Sequence, residues 1–328
     1  MISNKFLVLI SIFILFSCSK PVKEEKITLE GAVFGTTYKI VYLNTSINYQ
    51  KSIDSLFLLM NTSLSTYIPS SDISRINSGD TTVVVDDLFL EVFKKSKRIH
   101  KETNGYFDPT VGNLVNAWGF GPKNEKRNLT ATELQELMQF VGLDFVKIVD
   151  RQVFKKEAKI YLDFNSIAKG FGIDVVARFL TSKKITNYLI EIGGEIRAKG
   201  TKNNNIPWLI KIVDPTNEGL LQKYKSINLS NRSMATSGNY RKYRFTENGQ
   251  KFVHTINPIT GQALESNLLS ASVIANLDCA DVDAYATAFM AMGLKKSKKF
   301  LQEHPLIDGV LLFIDDDGRL KEYSTINN

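Results

Sequence analysis

Strand-like and helix-like segments are interleaved along this sequence without a repeating strand–helix–strand unit, a mixture that predicts an α+β fold. Two patterns carry the prediction. In the first half, apolar residues recur at three- and four-residue intervals; in the second, short β-prone runs are separated by Gly, Pro or Asn-Gly. Helical spacing then returns near residue 281 and a last hairpin follows, so the expected architecture is antiparallel sheets with helices packed on them.

The chain opens "MISNKFLVLISIFILFSCSK", one early Lys5 and then an apolar run from Phe6 to Phe16 broken only by Ser11. Residues 1–17 read as a secretory signal. A transmembrane helix takes about 20 apolar residues, more than this run supplies. "LFSC" resembles the lipobox of bacterial lipoproteins, in which the Cys, here Cys18, becomes the lipidated first residue. Phe16 departs from the small residue usual in that motif, and the alternative is an ordinary signal peptide in which Cys18 is incidental. Residues 18–26 read as a polar tether, and 27–328 as the folded domain.

Residues 27–43 alternate apolar and polar positions and read as strands broken near Gly31 and Gly35. Ile53, Phe57, Met60 and Leu64 then mark an amphipathic helix. A second helix spans Asp86 to Thr103 and stops at Asn104-Gly105. A third starts at Thr130, whose spacing to Glu133 is that of a capping box. "NYLIEIGGEIRAKG", "PWLIKIVDP", "YRKYRFTENGQKFVHTI" and "NLLSASVIA" read as strands, with Asn248-Gly249 as a hairpin turn. A helix from Asp281 to Met292 closing at Gly293, and a hairpin over "GVLLFIDDDGRLKEYS", complete the chain.

Composition excludes several classes. The formal charge is +7, but the lysines are scattered; the clusters Lys94 to Arg98 and Lys295 to Lys299 fall in helices, where they read as solvated faces. Basic and aromatic residues do not interleave as a nucleic-acid surface requires, so no nucleic-acid partner is expected. With two cysteines, one of them Cys18, no disulfide framework is available, and three histidines make a histidine-rich metal site improbable. The phosphate loop Gly-x-x-x-x-Gly-Lys, His-Glu-x-x-His, Gly-x-Ser-x-Gly and Cys-x-x-Cys are all absent.

Three segments carry more chemistry than structure alone asks for. In "KIYLDFNSIAKGFGIDVVARF", Ile160, Leu162 and Phe164 read as one face of a strand, with Asp163 opposite. Ile167, Phe171, Val175 and Phe179 then mark a helix with Lys169 in its first turn. A helix start with a lysine is a natural phosphate site; equally, Asp163 can cap this helix and leave Lys169 in solvent. In "CADVDAYATAFMAMG", Asp283 and Thr287 are four apart and share a helix face, a pairing able to give Mg²⁺ two hard oxygen ligands, while Asp281 reads as the helix cap. "GYFDPTVGNLVNAWGFG" is dense in aromatics and glycine and reads as a pocket wall or a tight corner. "MATSGNYRKY" and "HTINPITG" read as loops at strand ends.

In this order, the motifs resemble the ApbE family, the bacterial FAD:protein FMN transferases. The match runs through "VFGTTY", "LSTYIPSSDISRIN", "YFDPTVGNLVNAWGFG", "LDFNSIAKGFGID", "IGGEIRAKG", "ATSGNYRKY", "HTINPITG" and "DVDAYATAFMAMG", roughly residues 30 to 292. The resemblance implies an α+β fold related to the T-fold, often on an exported lipoprotein lying on a bacterial membrane and facing the periplasm. It implies Mg²⁺-dependent transfer of FMN from FAD to a Thr or Ser hydroxyl of a target protein, with release of AMP. Expected acceptors are flavin-carrying subunits of membrane redox complexes. By position, it implies that Phe34, Tyr67, Tyr106, Phe107, Asp108, Asp163, Lys169 and Thr255 line the FAD site. Asp283 and Thr287 would be side-chain metal ligands and Ser166 a backbone one. Phe34 stands where the family often has Met, and Asn165-Ser166 where it often has Gly-Gly. On that reading Asp283 and His254 are the catalytic candidates, His254 orienting or deprotonating the acceptor hydroxyl, or bracing its loop. Two other activities share the pocket: an FAD pyrophosphatase giving FMN and AMP, and a non-catalytic FAD-binding lipoprotein.

Overall fold

The computed structural model describes residues 25–122, 129–202, 205–216, 222–239, 243–245, 251–263 and 266–326. The expected signal, Cys18, most of the tether and the Asn248-Gly249 turn lie outside the described residues. Among the described residues no helix is long and apolar enough to cross a membrane.

The elements are β1 (Lys26–Val33), β2 (Thr36–Leu43), α1 (Gln50–Leu64), α2 (Asp72–Asn77), α3 (Asp87–Glu102), α4 (Gly112–Ala117) and α5 (Ala131–Met138). They continue with β3 (Val146–Val149), β4 (Gln152–Lys155), α6 (Ala168–Ser182), β5 (Tyr188–Ile192), β6 (Glu195–Lys199), β7 (Trp208–Val213) and β8 (Lys223–Leu229). The chain closes with β9 (Arg232–Gly238), β10 (Tyr243–Phe245), β11 (Lys251–Val253), β12 (Leu268–Ala275), α7 (Cys279–Glu303), β13 (Ile307–Ile314) and β14 (Leu320–Ser324).

Eight of the described strands form one antiparallel sheet in the order β1-β2-β5-β6-β9-β12-β13-β14, and β3-β4, β7-β8 and β10-β11 are separate hairpins. Its central strands are apolar on both faces because both are covered. On one side Ile40, Ile190, Ala235, Val273 and Leu311 join the side chains of α1, α3, α6 and α7. On the other, Val41, Ile196, Met234, Ile274 and Val310 pack with Trp208, Ile210 and Leu229 of the β7-β8 hairpin. The α+β expectation therefore holds.

Several local expectations need correction. Gly31 does not break a strand: it pairs with Tyr38, and a Cβ there would lie 2.7 Å from the Tyr38 hydroxyl, so glycine makes room for that ring. The reversal comes at Phe34 (φ 51°) and Gly35 (φ 73°), two left-handed residues as a tight hairpin turn requires. Residues 160–164 are not a strand but a single bridge, Tyr161 to Val111, and Ile160, Leu162, Asp163 and Phe164 are all buried. The helix expected from Asp281 starts earlier, at Cys279, and breaks at Gly293 as expected (φ 74°, ψ 174°, non-helical), after which a second helical stretch of α7 runs on to Glu303. The first five residues of "MATSGNYRKY", expected as a loop, belong to central strand β9. Lys94 to Arg98 is not merely a solvated face, because Lys95 is largely buried against Asp278 and Asp281. The capping box at Thr130 forms as expected, and α3 starts from Asp86 and ends before the left-handed pair Asn104-Gly105.

Candidate functional site

Strand register brings three loops to one end of the large sheet. The β1-β2 turn at Phe34-Gly35, the β5-β6 turn at Gly193-Gly194 and the far end of β9 lie side by side there. Helices α6 and α7 pack on each other over this region, α7 also against β9 and β12.

Their contact is unusually close. A Cβ on Gly170 would sit 2.4 Å from the Cys279 carbonyl oxygen and 2.7 Å from the Ala280 nitrogen, both backbone atoms, so only glycine fits. Each helix start also lacks its own side-chain cap: Ile167 occupies the cap position of α6 and offers no acceptor, and Asp278 at that of α7 makes no capping bond. The partner helix supplies both. The Gly170 N–H donates to Asp283 Oδ2 at 3.0 Å, while the Cys279 and Ala280 N–H groups donate to Asp174 Oδ1 and Oδ2 at 2.8 and 2.9 Å. Thus a carboxylate from α7 sits on the positive end of α6, and one from α6 on that of α7.

Lys169 points into the same corner, its Nζ 3.7 Å from Asp283 Oδ2 and 3.6 Å from Glu195 Oε1. Asp283 and Glu195 are buried. Gly193 (φ 63°) leaves room for both Thr36 and the Lys169 stem, since a Cβ there would lie 2.8 Å from Thr36 Cγ2 and 3.3 Å from Lys169 Cδ. One turn along α7 from Asp283, the Thr287 hydroxyl lies 3.3 Å from the Ser237 hydroxyl of β9. Phe34 leans its ring on Phe57 at 5.5 Å and fills the space that Gly172 leaves open. A bulky residue at φ 51° is strained, and such strain persists where packing on all sides holds it.

Asp163 and Tyr67 form a neighbouring cluster. The buried Asp163 does not cap α6: its Oδ1 accepts from the Asn165 N–H at 2.8 Å, and burial raises its carboxyl above the usual range. Tyr67 is 56% exposed; partial desolvation, then the charges of Asp163 and Tyr161, raise its phenol. Ser166 is half-buried in the turn that leads into α6. An uninterrupted helix would aim the Gly170 N–H at the Ser166 carbonyl, whereas here it goes to Asp283.

The other expected residues divide. Asp108 is an internal brace: its carboxylate accepts from the Thr110 N–H and hydroxyl at 2.8 and 2.6 Å and from the Leu143 N–H at 3.1 Å, with His100 Nδ1 at 3.4 Å. Phe107 is buried in the core, its carbonyl 2.9 Å from His100 Nδ1. The Tyr106 hydroxyl accepts from Lys296, whose ammonium also lies 4.5 Å from the ring centre. His254 and Thr255 are half-buried in the loop after β11. That loop is tied to α7 by Asn257 Nδ2 donating to the Ala291 carbonyl at 3.2 Å, one turn beyond Thr287, and to the 106–121 segment by Trp118 Nε1 donating to Gly261 at 2.8 Å. Asp281, expected as a cap, instead pairs with Lys95 at 3.3 Å and Arg98 at 2.7 Å.

Glu195, Ser237 and Asp174 were not singled out from the sequence. Glu195 had a signal, a carboxylate directly after Gly193-Gly194 at the start of a strand. Ser237 and Asp174 had none, because their roles come from a strand and a helix distant in sequence.

Among the described residues no group of three His, Cys, Asp or Glu side chains could hold a metal. The oxygen set at the α6–α7 corner is of another kind: one carboxylate, a hydroxyl one turn on and a main-chain carbonyl entering α6, all hard donors that suit Mg²⁺. A cavity of about 560 Å³ opens at the other end of the strands, bordered by Arg178, Arg197, Lys199, Arg232 and Asp278. Its arginines are already paired with Glu91, Asp174, Asp278 and Asp308.

Comparison with known proteins identifies the family. The ApbE family model matches residues 34–311. An FAD:protein FMN transferase of Vibrio cholerae serotype O1 is 35% identical over 331 residues, covering 98% of this chain and 97% of that protein. One of Haemophilus influenzae is 36% identical over 318 residues, covering 93% and 90%. Among solved structures, the flavin transferase ApbE from Vibrio cholerae superposes with a TM-score of 0.80 at 34% identity, covering 92% of this chain and 97% of that one. The apo flavinyl transferase ApbE of Pseudomonas stutzeri gives 0.82 at 27% identity, covering 92% and 95%. With a family model spanning most of its length and full-length relatives above 30% identity, this chain belongs to the ApbE family.

Proposed function

We propose that this protein transfers FMN from FAD to a Thr or Ser hydroxyl of an acceptor protein and releases AMP. The relatives named FAD:protein FMN transferase support the substrate and the reaction. One geometric observation carries the reading: Lys169 and Asp283 meet over the first turn of α6, a helix start with a cation and a carboxylate beside it. That combination suits a pyrophosphate and its counter-ion.

In this reading FAD lies across the corner with its pyrophosphate toward α6, its flavin near Phe34 and its remaining contacts from Tyr67, Asp163, Thr255 and the Tyr106–Asp108 backbone. Asp283, Thr287 and the Ser166 carbonyl would hold Mg²⁺, which neutralises the pyrophosphate and the charge that builds on departing AMP. Lys169 binds the phosphate and, with Glu195, stays fixed in place. The acceptor hydroxyl oxygen bonds to the FMN phosphorus as the bond from that phosphorus to the AMP oxygen breaks. The hydroxyl proton passes to His254 or to solvent. Positioning and charge do most of this work. We further propose that the protein is exported and held on a bacterial membrane, facing the periplasm, by lipid on Cys18, where flavin-carrying subunits of membrane redox complexes would be its acceptors.

The test is to incubate residues 19–328 with FAD, Mg²⁺ and a candidate acceptor domain, then measure acceptor mass and free AMP and FMN. Transfer gives an acceptor heavier by one FMN and an equivalent of AMP. Free FMN and AMP without acceptor modification means a pyrophosphatase, and FAD bound without any AMP means a binding protein; either result defeats the proposal.

A further inference from the structure

The two helix starts depend on each other, and one member of that exchange, Asp174, lies outside the corner just described. Asp174 is fully buried on α6. Both its oxygens take main-chain N–H groups of α7, at 2.8 and 2.9 Å, and Arg197 of β6 forms an ion pair with it. Arg197 also reaches Asp278 at 2.7 Å, and Lys95 of α3 reaches the other oxygen of Asp278 at 2.8 Å. The beginning of α7 is therefore held from α6, β6 and α3 together. Asp283 follows in the next turn and returns the contact by capping Gly170. Because the Gly170 contact is backbone against backbone, a shift of α7 cannot be absorbed by a side chain.

Resting on the proposed reaction, we propose that Asp174 is a positioning residue: by capping α7 it sets the depth and rotation at which Asp283 meets the first turn of α6 and the cation bound there. A general contribution to stability would lower the melting temperature alone. A positioning role also changes what the folded protein binds.

The near-isosteric variant Asp174→Asn keeps the volume but exchanges one acceptor for an NH₂ group that faces a backbone N–H. Two readouts apply to the folded protein, neither requiring turnover: Mn²⁺ affinity by calorimetry in the presence of FAD, and the labelling rate of Cys279 by a thiol reagent in residues 19–328. Cys279 is the one cysteine in that stretch, is fully buried, and is the residue whose N–H Asp174 holds. Expected are Mn²⁺ binding weakened about 10–100-fold, the usual cost of losing a group that orients a ligand, and faster labelling. Glu91→Gln, which removes an exposed ion pair from the same helix, leaves both readouts unchanged. Faster labelling with unchanged Mn²⁺ affinity reduces Asp174 to a structural cap and overturns the proposal. Weaker Mn²⁺ binding without faster labelling overturns it too, because the effect would not travel through α7. Absence of Mn²⁺ binding in the unaltered protein defeats the metal reading itself, and the proposal with it. Should Asp174→Asn not fold, Arg197→Gln leaves the carboxylate and removes the cation that fixes it; smaller shifts in the same directions are then expected, and their absence overturns the proposal.

Discussion

Replacing Gly170 with Ala adds one methyl group at the α6–α7 contact, and its effect can be worked out from the backbone. The new Cβ would stand 2.4 Å from the Cys279 carbonyl oxygen, 2.6 Å from its carbon and 2.7 Å from the Ala280 nitrogen. Ordinary contact begins near 3.4 Å, so the helices must part by about 1 Å, with no rotamer to take up the strain. Overpacking of this kind costs about 1–3 kcal/mol, and the better helix propensity of Ala returns about 1 kcal/mol. The net loss of up to about 2 kcal/mol lowers the melting temperature by several degrees at most in a protein this size. Activity is affected far more, because a displaced α7 carries Asp283 away from the α6 start that it caps, and a 1 Å misplacement at a reacting centre costs about 10²-fold. Gly172→Ala is the comparison: its Cβ meets side chains and no backbone, the Phe34 ring at 2.6 Å and the Met60 methyl at 3.4 Å, so the α6–α7 contact itself is left in place. Melting by circular dichroism and AMP release with saturating FAD and Mg²⁺ measure the two effects. A folded Gly170→Ala variant with wild-type AMP release would refute the reasoning.

Asp283→Ala abolishes AMP release in Mg²⁺ and, by uncapping Gly170, costs about 1 kcal/mol in urea unfolding; retained turnover would remove Asp283 from the mechanism. Burial, reinforced by Asp278 and opposed by Arg197 and the two α7 N–H groups, lifts the Asp174 carboxyl from 3.8 to about 6. The native state therefore takes up a proton between these values, and this contribution to stability is full below pH 3.8 and lost as pH rises through about 6. Asp278 acts oppositely: against desolvation, Lys95 and Arg197 hold it down to about 2, so its contribution is present above pH 3.8 and lost as pH falls toward 2. Urea unfolding from pH 4 to 7 should show the first slope, and Asp174→Asn should flatten it; an unchanged slope would mean that another group titrates. Phe289→Ala, fully buried against Phe300 at 5.3 Å, is expected to cost about 3–5 kcal/mol by denaturant midpoint, and a loss under about 1 kcal/mol would mean the core there collapses freely.

The secondary structure readable from the sequence was that set by neighbours in the chain. Ile53, Phe57, Met60 and Leu64 announce α1 because a helix places them on one face, and all four are buried together. Thr130 and Glu133 form their capping box because both partners lie within one turn. Errors came where distant chain segments decide. Leu162 and Phe164 alternate like a strand, but Asn77 takes both the N–H and the carbonyl of Leu162 and leaves no ladder to extend. Gly293 does break the helix, as its local signal says; what the sequence did not show is the second helical stretch beyond it, whose Ser297 bonds back to the carbonyls of Phe289 and Gly293.

The candidate site divides the same way. Sequence alone identified the side chains able to meet a phosphate and a hard cation, since Asp283 and Thr287 share a face by helix geometry and Lys169 falls in a first turn by local pattern. It also identified the aliphatic and aromatic runs that form the two core layers. Tertiary structure decided that Asp108 braces a turn, that Glu195 faces Lys169, and that Asp174 and Asp283 cap each other's helices across 109 positions of chain. The reason is physical: a free backbone N–H at a helix start donates to any well-placed carboxylate, and only the packing of α6 on α7 determines which one arrives.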